Sequence, residues 1–507
     1  MRERLYDDND LQFAGDFRIS EIVLINYKGD TVDITTNVND INIYEDLTSN
    51  FLTGDITFTD NTGLTTLMPI LGQEFLSFRV RTPLSPQVAN TGEFDFTDHK
   101  MAVYSIANKV RVSPTVETLT LNFMSVEGIR DQNVRISRAF DGPYDDAIAK
   151  IVKNKWGLNS KKRVFIQPTR ENHKFVAPNT RPSDVINMLA AKSIPKTSVM
   201  PAYFFYENGQ GFHYRALDSF YFIIKRTSPK HSKIEEHPAM FEYFAGSGEA
   251  KGVNNPQANP KADLRVVNSY DIMRNANLIK NQRMGAWSSR LLTHDSFNKT
   301  ITDNAFDYID SYNQIPHMEN DERDRSGMDQ VPTYRGLIPK APYDIDDAYM
   351  TENSGRYKRL SDYKDSRLML SSNTAHIHNT NSDTTNTSKD YIQRRVNGLS
   401  MLEMMEMRLD VPGNTHINAG HMIDVHIPRY GPQADPDLPA ADNPLHSGRW
   451  LITKIRHNFS ITNTKHTMVL TCAKETYQNG LQATDTRLQT EFTDKGKAVN
   501  IYDDSTY

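Results

Sequence analysis

The chain has 507 residues, which is too long for a single hydrophobic core, and this length predicts roughly three domains. Its hydrophobic content of 38% is enough for globular domains, while a formal net charge of -5 without a Lys/Arg run argues against a DNA-binding patch or a binder of anionic membranes. Cys472 is the only cysteine, which excludes an intrachain disulfide and a Cys-based zinc site and indicates a reducing compartment. Because no apolar run is long enough to cross a bilayer and the first residues contain no apolar leader, we expect a soluble protein made in the cytoplasm.

The stretch from residue 17 to 129 has a period of two, which predicts β-strands. Strands are predicted on both sides of a turn at residues 28–30, in "FLTGDITFTDNTG", in "EFLSFRVRTP", and in a hairpin over residues 101–123. One helical turn, "LTTLMPILGQ", is predicted to end at Gly72. About six antiparallel strands predict a β-barrel or sandwich, and we assign this first barrel to residues 1–133.

From residue 141 the period becomes helical. "DGPYDDAIAKIVKNKWG" predicts an amphipathic helix with acidic residues in its first turn and lysines in its last, and "RPSDVINMLAAK" predicts a second helix. The Asn208-Gly209 dipeptide between two aromatic runs is a strong hairpin signal. Residues 228–262 have the pattern of a loop, so residues 134–262 are predicted to form a small mixed α/β domain.

The rest of the chain is predicted to contain a second barrel that a polar segment interrupts. Residues 263–312 return to a strand-turn-strand pattern, and "YIQRRVNGLSMLEMMEM" predicts a helix, after which the β pattern continues to Tyr477. The second barrel is assigned to residues 263–312 and 393–478. Residues 313–392 have few apolar residues and no sustained period, which predicts an insertion that packs on partners or stays mobile. Residues 479–507 form a polar C-terminal tail.

A repeat connects the two barrels. The hairpin "RWLITKIRHNFSITNTKHTMVLTC" begins 349 residues after "KMAVYSIANKVRVSPTVETLTLNF", and a gap-free alignment of the two pairs nine apolar positions, where composition predicts about three. The pairs include Val103 with Ile452, Ile106 with Ile455, Val110 with Phe459, Val112 with Ile461 and Leu121 with Leu470. Two copies of one barrel in a chain that forms a closed trimer would surround the axis with six similar barrels, a pseudo-sixfold ring.

Several long stretches in the same order give the chain a resemblance to a known family. "INIYEDLTSNFLTGDITFTDNTGLTTLMPILGQEFLSFRVRTP", "YFFYENGQGFHYRALDSF", "MGAWSSRLLTHDSFNKTITDNAFDY" and "GRWLITKIRHNF" resemble the baseplate central hub protein of T-even-like contractile-tailed bacteriophages. This resemblance implies a virion protein of the tail baseplate, a homotrimeric ring with two tube-type barrels per subunit. It also implies contacts with tail tube initiator proteins, the cell-puncturing spike and other baseplate proteins, and a channel that DNA passes without sequence-specific binding.

The histidines do not form a convincing metal site in the sequence. His376 and His378 lie in the polar insertion without nearby ligands at metal-site spacing, so a solvated loop is the better interpretation. His416, His421 and His426 are five residues apart across a turn and a strand, and the odd spacing directs the last two to opposite faces. No metal and no cofactor are therefore predicted.

The acidic candidates also have structural interpretations. Asp145 and Asp146 occupy a first helical turn, where the helix dipole explains them, and Glu403 and Glu406 are predicted on the solvated edge of a Met-rich helix. No catalytic motif occurs, so no catalytic residue and no enzyme activity are predicted. The alternatives are a wall-degrading hydrolase, which needs two carboxylates in a cleft of a helical domain, and a receptor-binding tail-tip adhesin. The predicted fold is mainly β (α+β), with two similar antiparallel β-barrels, a mixed α/β middle domain and a polar insertion.

Overall fold

The computed structural model describes most of the chain in separate ranges. These are residues 11–64, 68, 70–83, 92–221, 241–245, 264–275, 277–296, 298–311, 314–315, 317–318, 363–372, 388–429, 442–443 and 445–475. The C-terminal tail, residues 479–507, and most of the predicted insertion lie outside the described residues.

The first β-unit consists of ten strands that carry the predicted alternating pattern. They are β1 (Arg18–Ile19), β2 (Val23–Ile25), β3 (Thr31–Asp33), β4 (Val38–Asp46), β5 (Thr53–Asp60), β6 (Phe75–Ser77), β7 (Arg79–Arg81), β8 (Glu93–Asp95), β9 (Met101–Ser113) and β10 (Val116–Ser125). Ile41, Ile56 and Leu121 are cross-strand neighbours and fully buried, so one face of this sheet forms an apolar core.

The middle unit contains the predicted helices and hairpin. Its elements are α1 (Val126–Asn133), β11 (Ile136–Gly142), α2 (Tyr144–Lys153), β12 (Val164–Ile166), β13 (His173–Thr180), α3 (Pro182–Ala190), β14 (Tyr203–Asn208), β15 (Gly211–Ala216) and α4 (Asp218–Tyr221). Helix α2 buries Ala147, Ile148, Ile151 and Val152, which confirms its predicted apolar face. The hairpin β14–β15 turns at the predicted Asn208-Gly209 dipeptide.

The remaining elements form a second β-unit and a small side sheet. In chain order they are β16 (Phe241–Ala245), β17 (Val266–Val267), β18 (Ser269–Arg274), α5 (Leu278–Met284), β19 (Ser288–Asp295), β20 (Thr300–Asp307), α6 (Tyr308–Ser311), β21 (Leu368–Ser372), α7 (Ser388–Leu402), β22 (Met405–Pro412), β23 (Met422–His426), β24 (Gly448–Ser460) and β25 (Lys465–Lys474). Strands β19, β20 and β21 make the side sheet, and the other strands make the second β-unit.

Most strands of both β-units belong to one sheet. Its pairings run β3-β2-β6-β9-β10-β5-β4-β24-β23-β16-β17, and β24 also leads through β25 and β22 to β18. In the second unit the path ends at β17 and its branch ends at β18. These two strands are consecutive in the chain, separated only by Asn268, whose N–H donates to the Asp410 carbonyl on β22 at 2.8 Å. The predicted mainly-β fold is confirmed. Closed barrels and the domain boundaries stay predictions.

Two sequence-based assignments are wrong in part. Residues 241–245, predicted as loop, form β16, which lies parallel to β23 and β17. Within the predicted insertion, β21 pairs parallel with β19, and His317 and Met318 are buried against Glu475, whose carboxylate accepts the Met318 N–H at 2.6 Å. Both segments are short, and distant strands or buried groups fix them rather than a local period, which is why the sequence pattern missed them.

Helix α7 is confirmed, but its buried face is polar. The residues it buries include Gln393, Asn397 and Ser400. The Gln393 amide donates to the carbonyls of Ser289 and Asn304, each at 3.1 Å. The apolar spacing predicted the helix correctly, whereas these hydrogen bonds to the β19–β20 hairpin determine which side packs.

The two repeated hairpins share one irregularity. The first strand of each has a β-bulge at the same place, Tyr104 in β9 and Thr453 in β24. Cross-strand partners on both sides of this bulge correspond at the predicted offset: Val103–Phe123 matches Ile452–Cys472, and Ile106–Leu121 matches Ile455–Leu470. The repeat is therefore structural around this bulge.

Further along the hairpin the correspondence shifts by one residue. Strand β9 has a second bulge at Ala107 that β24 lacks, and a third at Val112. Val110 consequently takes the position of Asn458 in the ladder, not that of Phe459. The gap-free equivalences predicted for Val110 and Val112 are wrong, because a bulge adds a residue without changing the strand pairing.

Burial differs between the hairpins as well. Ile455 is 2% exposed, whereas Ile106 is 37%, Val110 is 46% and Val112 is 66% exposed. The reason is that β24 lies between β25 and β4, while in the part of the chain that the structure describes β9 beyond Val103 pairs with β10 alone. The pairing of Ile106 with Ile455 in the repeat predicts that both are buried equally, and this prediction is wrong for the single chain.

The Ile455→Asp variant should unfold much more easily than the wild type, because it places a carboxylate in the core. We expect a loss of about 3–5 kcal/mol in the free energy of unfolding. Ile106→Asp at the equivalent exposed position should lose only about 1 kcal/mol. Urea denaturation of both variants checks this, and equal losses would contradict the difference in burial.

Buried neutral histidines lie in the β-unit cores and at the contact with the middle unit. His457 and His466 are fully buried with 3.2 Å between Nδ1 and Nε2, and burial lowers the pKa of His457 to about 3. Burial, and then the positive charge of Arg215, lower the pKa of His421 to about 3. These rings are neutral in the folded protein and charge only when it unfolds.

The free energy of unfolding should therefore fall as the pH falls below about 6.5, the ordinary histidine pKa, because these rings bind protons in the unfolded chain and stay neutral in the folded chain. Each such ring should lower the free energy of unfolding by roughly 2 kcal/mol between pH 7 and pH 5. His457→Gln should make the urea midpoint less dependent on pH over this range, while His294→Gln at an exposed position should not. A midpoint for the wild type that is the same at both pH values would contradict this assignment.

Candidate functional site

Strands β4 and β24 join the two β-units edge to edge. They make seven antiparallel residue pairs. On the face away from the core, Lys454 Nζ lies 2.9 Å from Asp46 Oδ2, and the side chains of Asn458 and Arg456 donate to Asn42 Oδ1 at 2.8 and 3.1 Å. The strands β18-β22-β25-β24-β4-β5-β10-β9 thus form a continuous run of eight.

The carboxylate of Glu45 connects three parts of the fold at this junction. Glu45 lies on β4 opposite Ile455 and is 1% exposed. One of its oxygens accepts the Gly209 N–H of the middle unit at 2.9 Å, and the other accepts the Ala419 N–H of the second β-unit at 2.7 Å. Hydrogen bonds to a buried carboxylate are strong and costly to lose, so Glu45 fixes the middle unit at the junction.

Apart from Val110 and Val469, the non-core face of the eight strands is polar from one edge to the other. Residues on this face are Asp40, Asn42, Tyr44, Thr53, Asp55, Thr57, Thr59, Ser105, Asn108, Thr118, Thr120, Asn122, Asp271, Arg274, Glu406, Arg408, Asp410, Lys454, Arg456, Asn458, Lys465, Thr467 and Thr471. We call it the polar face. The sequence signal for it is the alternation itself, since most of these residues lie next to a core residue in the chain.

Side chains of the polar face bind one another. The hydroxyls of Thr57 and Thr120 are 3.0 Å apart, and Asp55 accepts from the Asn42 amide at 2.8 Å and from the Tyr44 hydroxyl at 2.7 Å. Burial and the Asp55 carboxylate raise the pKa of Tyr44 to about 12, so the phenol stays protonated. Carboxylates and cations are interspersed from β18 to β4, and the polar residues of β10 and β9 on this face are uncharged, which gives a hydrated surface without a large field of one sign.

Two edges of the eight-stranded run lack a neighbouring strand among the described residues. Beyond Ala102, β9 pairs only with β10, and β18 pairs only with β22. Exposed apolar side chains concentrate at both edges, with Val110 on β9 and Tyr270 and Met273 on β18 at 46%, 45% and 57% exposure. Unpaired edges with apolar side chains are sites of association.

A buried ion cluster attaches the middle unit to the first β-unit. Lys162 Nζ lies 2.9 Å from Glu127 and 2.6 Å from Glu207, and Glu207 also accepts the Leu52 N–H at 3.0 Å. Burial alone would lower the pKa of Lys162, but the two carboxylates outweigh it and the pKa is raised. The sequence shows no spacing that would have predicted this cluster, and its fully paired state indicates a structural role.

The histidine candidates are scattered. His376 and His378 lie outside the described residues, His416 and His421 lie in the loop before β23, and His426 ends that strand. No group of three or more His, Cys, Asp or Glu side chains within the described ranges is placed to hold a metal ion. Of the helices in those ranges, none has the length and apolarity to cross a membrane.

The acidic candidates have partners. Asp145, in the first turn of α2 with Asp146, accepts the hydroxyl of Thr169 at 2.6 Å. Glu403 and Glu406 are not on one helix, because α7 ends at residue 402 and Glu406 belongs to β22. Both form ion pairs with Arg274, so the predicted helical edge is wrong for them.

An open pocket on the side sheet is lined by another charge cluster. Arg290 binds Asp303 at 2.6 Å and Asp365 at 3.0 Å, and these exposed pairs raise the pKa of the guanidinium. Hydrogen bonds from Arg290 lower the pKa of Asp303, which keeps it ionised. A carboxylate held in this way is a poor general acid. Ser366, which also lines the pocket, donates its hydroxyl to the Ser288 carbonyl at 3.2 Å and not to a base.

Glu45→Ala should destabilise the protein by about 3 kcal/mol or more, because it leaves two buried N–H groups without acceptors. Glu45→Gln keeps one acceptor oxygen and should lose less. Denaturant unfolding measures both, with Asp98→Ala on the surface as the control. A loss for Glu45→Ala no larger than that of the control would show that the contact does not fix the junction.

Comparison with known proteins finds structures and no sequence relatives. No family model matches the chain, and no curated protein matches it. The solved structures that the chain resembles include phage tail proteins and a secretion-system protein. A 43 kDa tail protein of prophage MuSo2 from Shewanella oneidensis shares 11% identity at a TM-score of 0.45, covering 90% of this chain and 98% of its own.

Two further neighbours have similar coverage. A tail protein from Neisseria meningitidis shares 9% identity at a TM-score of 0.46, covering 91% of this chain and 97% of its own. An E. coli type VI secretion component, described as structurally similar to T4 bacteriophage tail proteins, shares 9% identity at a TM-score of 0.36. It covers 88% of this chain and 76% of its own.

Proposed function

We propose that the chain is a structural subunit of a contractile phage tail, a hub in which three copies form a ring around a channel. The observation that carries the proposal is the side-by-side pairing of two repeated β-units within one chain. Such a chain presents two similar β-units to its neighbours, whereas a chain without the repeat presents one. Three copies can therefore match a sixfold partner on one side and a threefold partner on the other.

The polar face is proposed to line the channel. A sheet that continues across each chain and curves into a ring has one face toward the axis, and the other face is occupied by the two cores. DNA needs a hydrated wall that does not bind it tightly, and mixed charges with fixed hydroxyls supply this. A uniformly basic wall would hold the phosphates and hinder passage.

The resemblance to T-even-like hub proteins suggests the neighbours of the ring. They are the tail tube initiator proteins on the sixfold side, the cell-puncturing spike on the threefold side and other baseplate proteins, in a virion assembled in the host cytoplasm. Neither a cofactor nor an enzyme activity is part of this proposal. The alternative functions, receptor binding and wall degradation, receive no specific support from the polar face or the pocket.

The purified chain should form a trimer that appears as a ring in negative-stain images. Light scattering after size exclusion measures the mass, and a monomer at micromolar concentration would contradict the proposal. Val110→Asp should convert the ring to folded monomer, because it adds a charge at an open edge.

Val176→Asp is the matched control for this experiment. Val176 is 64% exposed on β13 of the middle unit, away from both open edges. The variant should stay a ring. If both variants lose the ring, the effect of Val110→Asp is not specific to the edge.

A further inference from the structure

We infer that the β4–β24 junction inside each chain is repeated between chains, with β9 of one copy paired to β18 of the next. This inference rests on the proposed function, since it names the contact that closes the ring. The occupant of each open edge is thus a second copy of this chain. Its register can be derived from the internal junction, because the repeat supplies an equivalent for each strand.

Strand β9 is the equivalent of β24. Both pair with the second strand of a repeated hairpin, and after its extra bulge β9 places Lys109 opposite Leu119 where β24 places His457 opposite Met468. Lys109 therefore corresponds to His457. By the same count Val110 corresponds to Asn458.

Strand β18 is the equivalent of β4. Leu121 pairs with Ile56, which pairs with Ile41 on β4. In the second unit the same path runs from Leu470 to Leu409 and then to Tyr270 on β18. Tyr270 therefore corresponds to Ile41, and the next residue, Asp271, corresponds to Asn42.

Transposing the internal register gives the contact between copies. Inside the chain Asn458 lies opposite Asn42, and Phe459 lies opposite Ile41. The equivalent pairs are Val110 with Asp271 of the neighbouring copy, Arg111 with Tyr270, Lys109 with Ile272 and Asn108 with Arg274. Three copies each contribute one β9 edge and one β18 edge, so the head-to-tail contact leaves no open edge in a closed ring.

The side chains brought together have matching chemistry. On the core face, the guanidinium of Arg111 meets the exposed ring of Tyr270 of the neighbouring copy, an arrangement that cations and aromatic rings favour. The aliphatic part of Lys109 covers Ile272 beside it. On the polar face, Asn108 corresponds to Arg456 and lies diagonal to Asp271, as Arg456 lies to Asn42 within the chain, where its guanidinium donates to the Asn42 side chain at 3.1 Å. The contact also covers Val110 and Tyr270, which are about half exposed in the single chain.

A different register follows from the gap-free sequence alignment. It equates Val110 with Phe459 and would place Val110 opposite Tyr270 and Lys109 opposite Asp271. The two registers differ by one residue, and in a β-sheet such a shift moves each side chain to the other face. Cysteine pairs can distinguish them, because a disulfide needs both Cβ atoms on the same face and about 4 Å apart.

The test uses double cysteine variants of the full chain. Val110→Cys with Asp271→Cys, and Arg111→Cys with Tyr270→Cys, probe the proposed register at two neighbouring positions. Two are needed because ladder positions alternate between hydrogen-bonded and non-hydrogen-bonded pairs, and the latter bring the side chains closer. Lys109→Cys with Asp271→Cys probes the shifted register. The native Cys472 is fully buried and does not interfere.

An internal pair is the matched control. Asn42→Cys with Asn458→Cys occupies the equivalent positions within one chain, where the side chains already touch. After mild oxidation it should form an intrachain bridge, visible as a loss of free thiols at the mass of a monomer. This shows that the chosen geometry allows a disulfide.

After oxidation, at least one proposed pair should give a covalently linked trimer on a non-reducing gel, and the shifted pair should not. A ring whose shifted pair links instead would overturn the register. A ring in which none of the pairs links, although the internal control does, would overturn the β9–β18 contact while leaving the proposed function intact. A wild-type chain that is monomeric by light scattering would overturn the proposed function itself.

Discussion

The antiparallel pairing of β4 with β24 is the contact on which the rest of the structure depends. It makes one sheet out of two β-units that are separated by most of the chain, and Glu45 attaches the middle unit at the same place. The two cores lie on one side of this sheet, so the other side must be solvated or covered as a whole. The continuous polar face is a consequence of the junction.

The repeat is conserved in some places and altered in others, and the physical reasons differ. Around the shared bulge the pairings agree, because Val103 and Ile452 beside it are both buried and a core position restricts size and direction. At the hairpin tips the copies diverge, since β24 pairs with β4, whereas the tip of β9 has only β10 beside it among the described residues. A strand buried within a chain and a strand at an edge therefore meet different constraints, even with a common pattern.

The sequence predicted much of the fold where the pattern is local. Alternation found the hairpins, helical spacing and capping charges found α2, and the Asn208-Gly209 dipeptide found the β14–β15 turn. It missed β16 and β21, each five residues long, because both owe their conformation to parallel pairing with distant strands. It also misplaced Val110 by one residue, since no sequence signal marks the extra bulge at Ala107.

The candidate site was less accessible to sequence reasoning than the fold. Individual Thr, Asn and Asp residues at alternate positions predict a wet face, but not that the wet faces of two units align into one. That alignment follows from the register of Asn458 opposite Asn42, a contact between residues 416 positions apart. Local patterns cannot contain such information, because many registers bury the same apolar residues equally well.

Charged side chains near the open edges disfavour pairing between identical edges of two copies. Lys109 and Arg111 on β9 would lie among like charges if two β9 edges paired with each other. Strand β18 carries Asp271 and the aromatic Tyr270, so β9 meets compatible side chains only on a different edge of another copy. A contact between unlike edges propagates in one direction, and curvature of the sheet decides whether it closes. If the rotation between the two units across β4–β24 is repeated at each proposed contact between copies, the ring closes when the six rotations add up to a full turn.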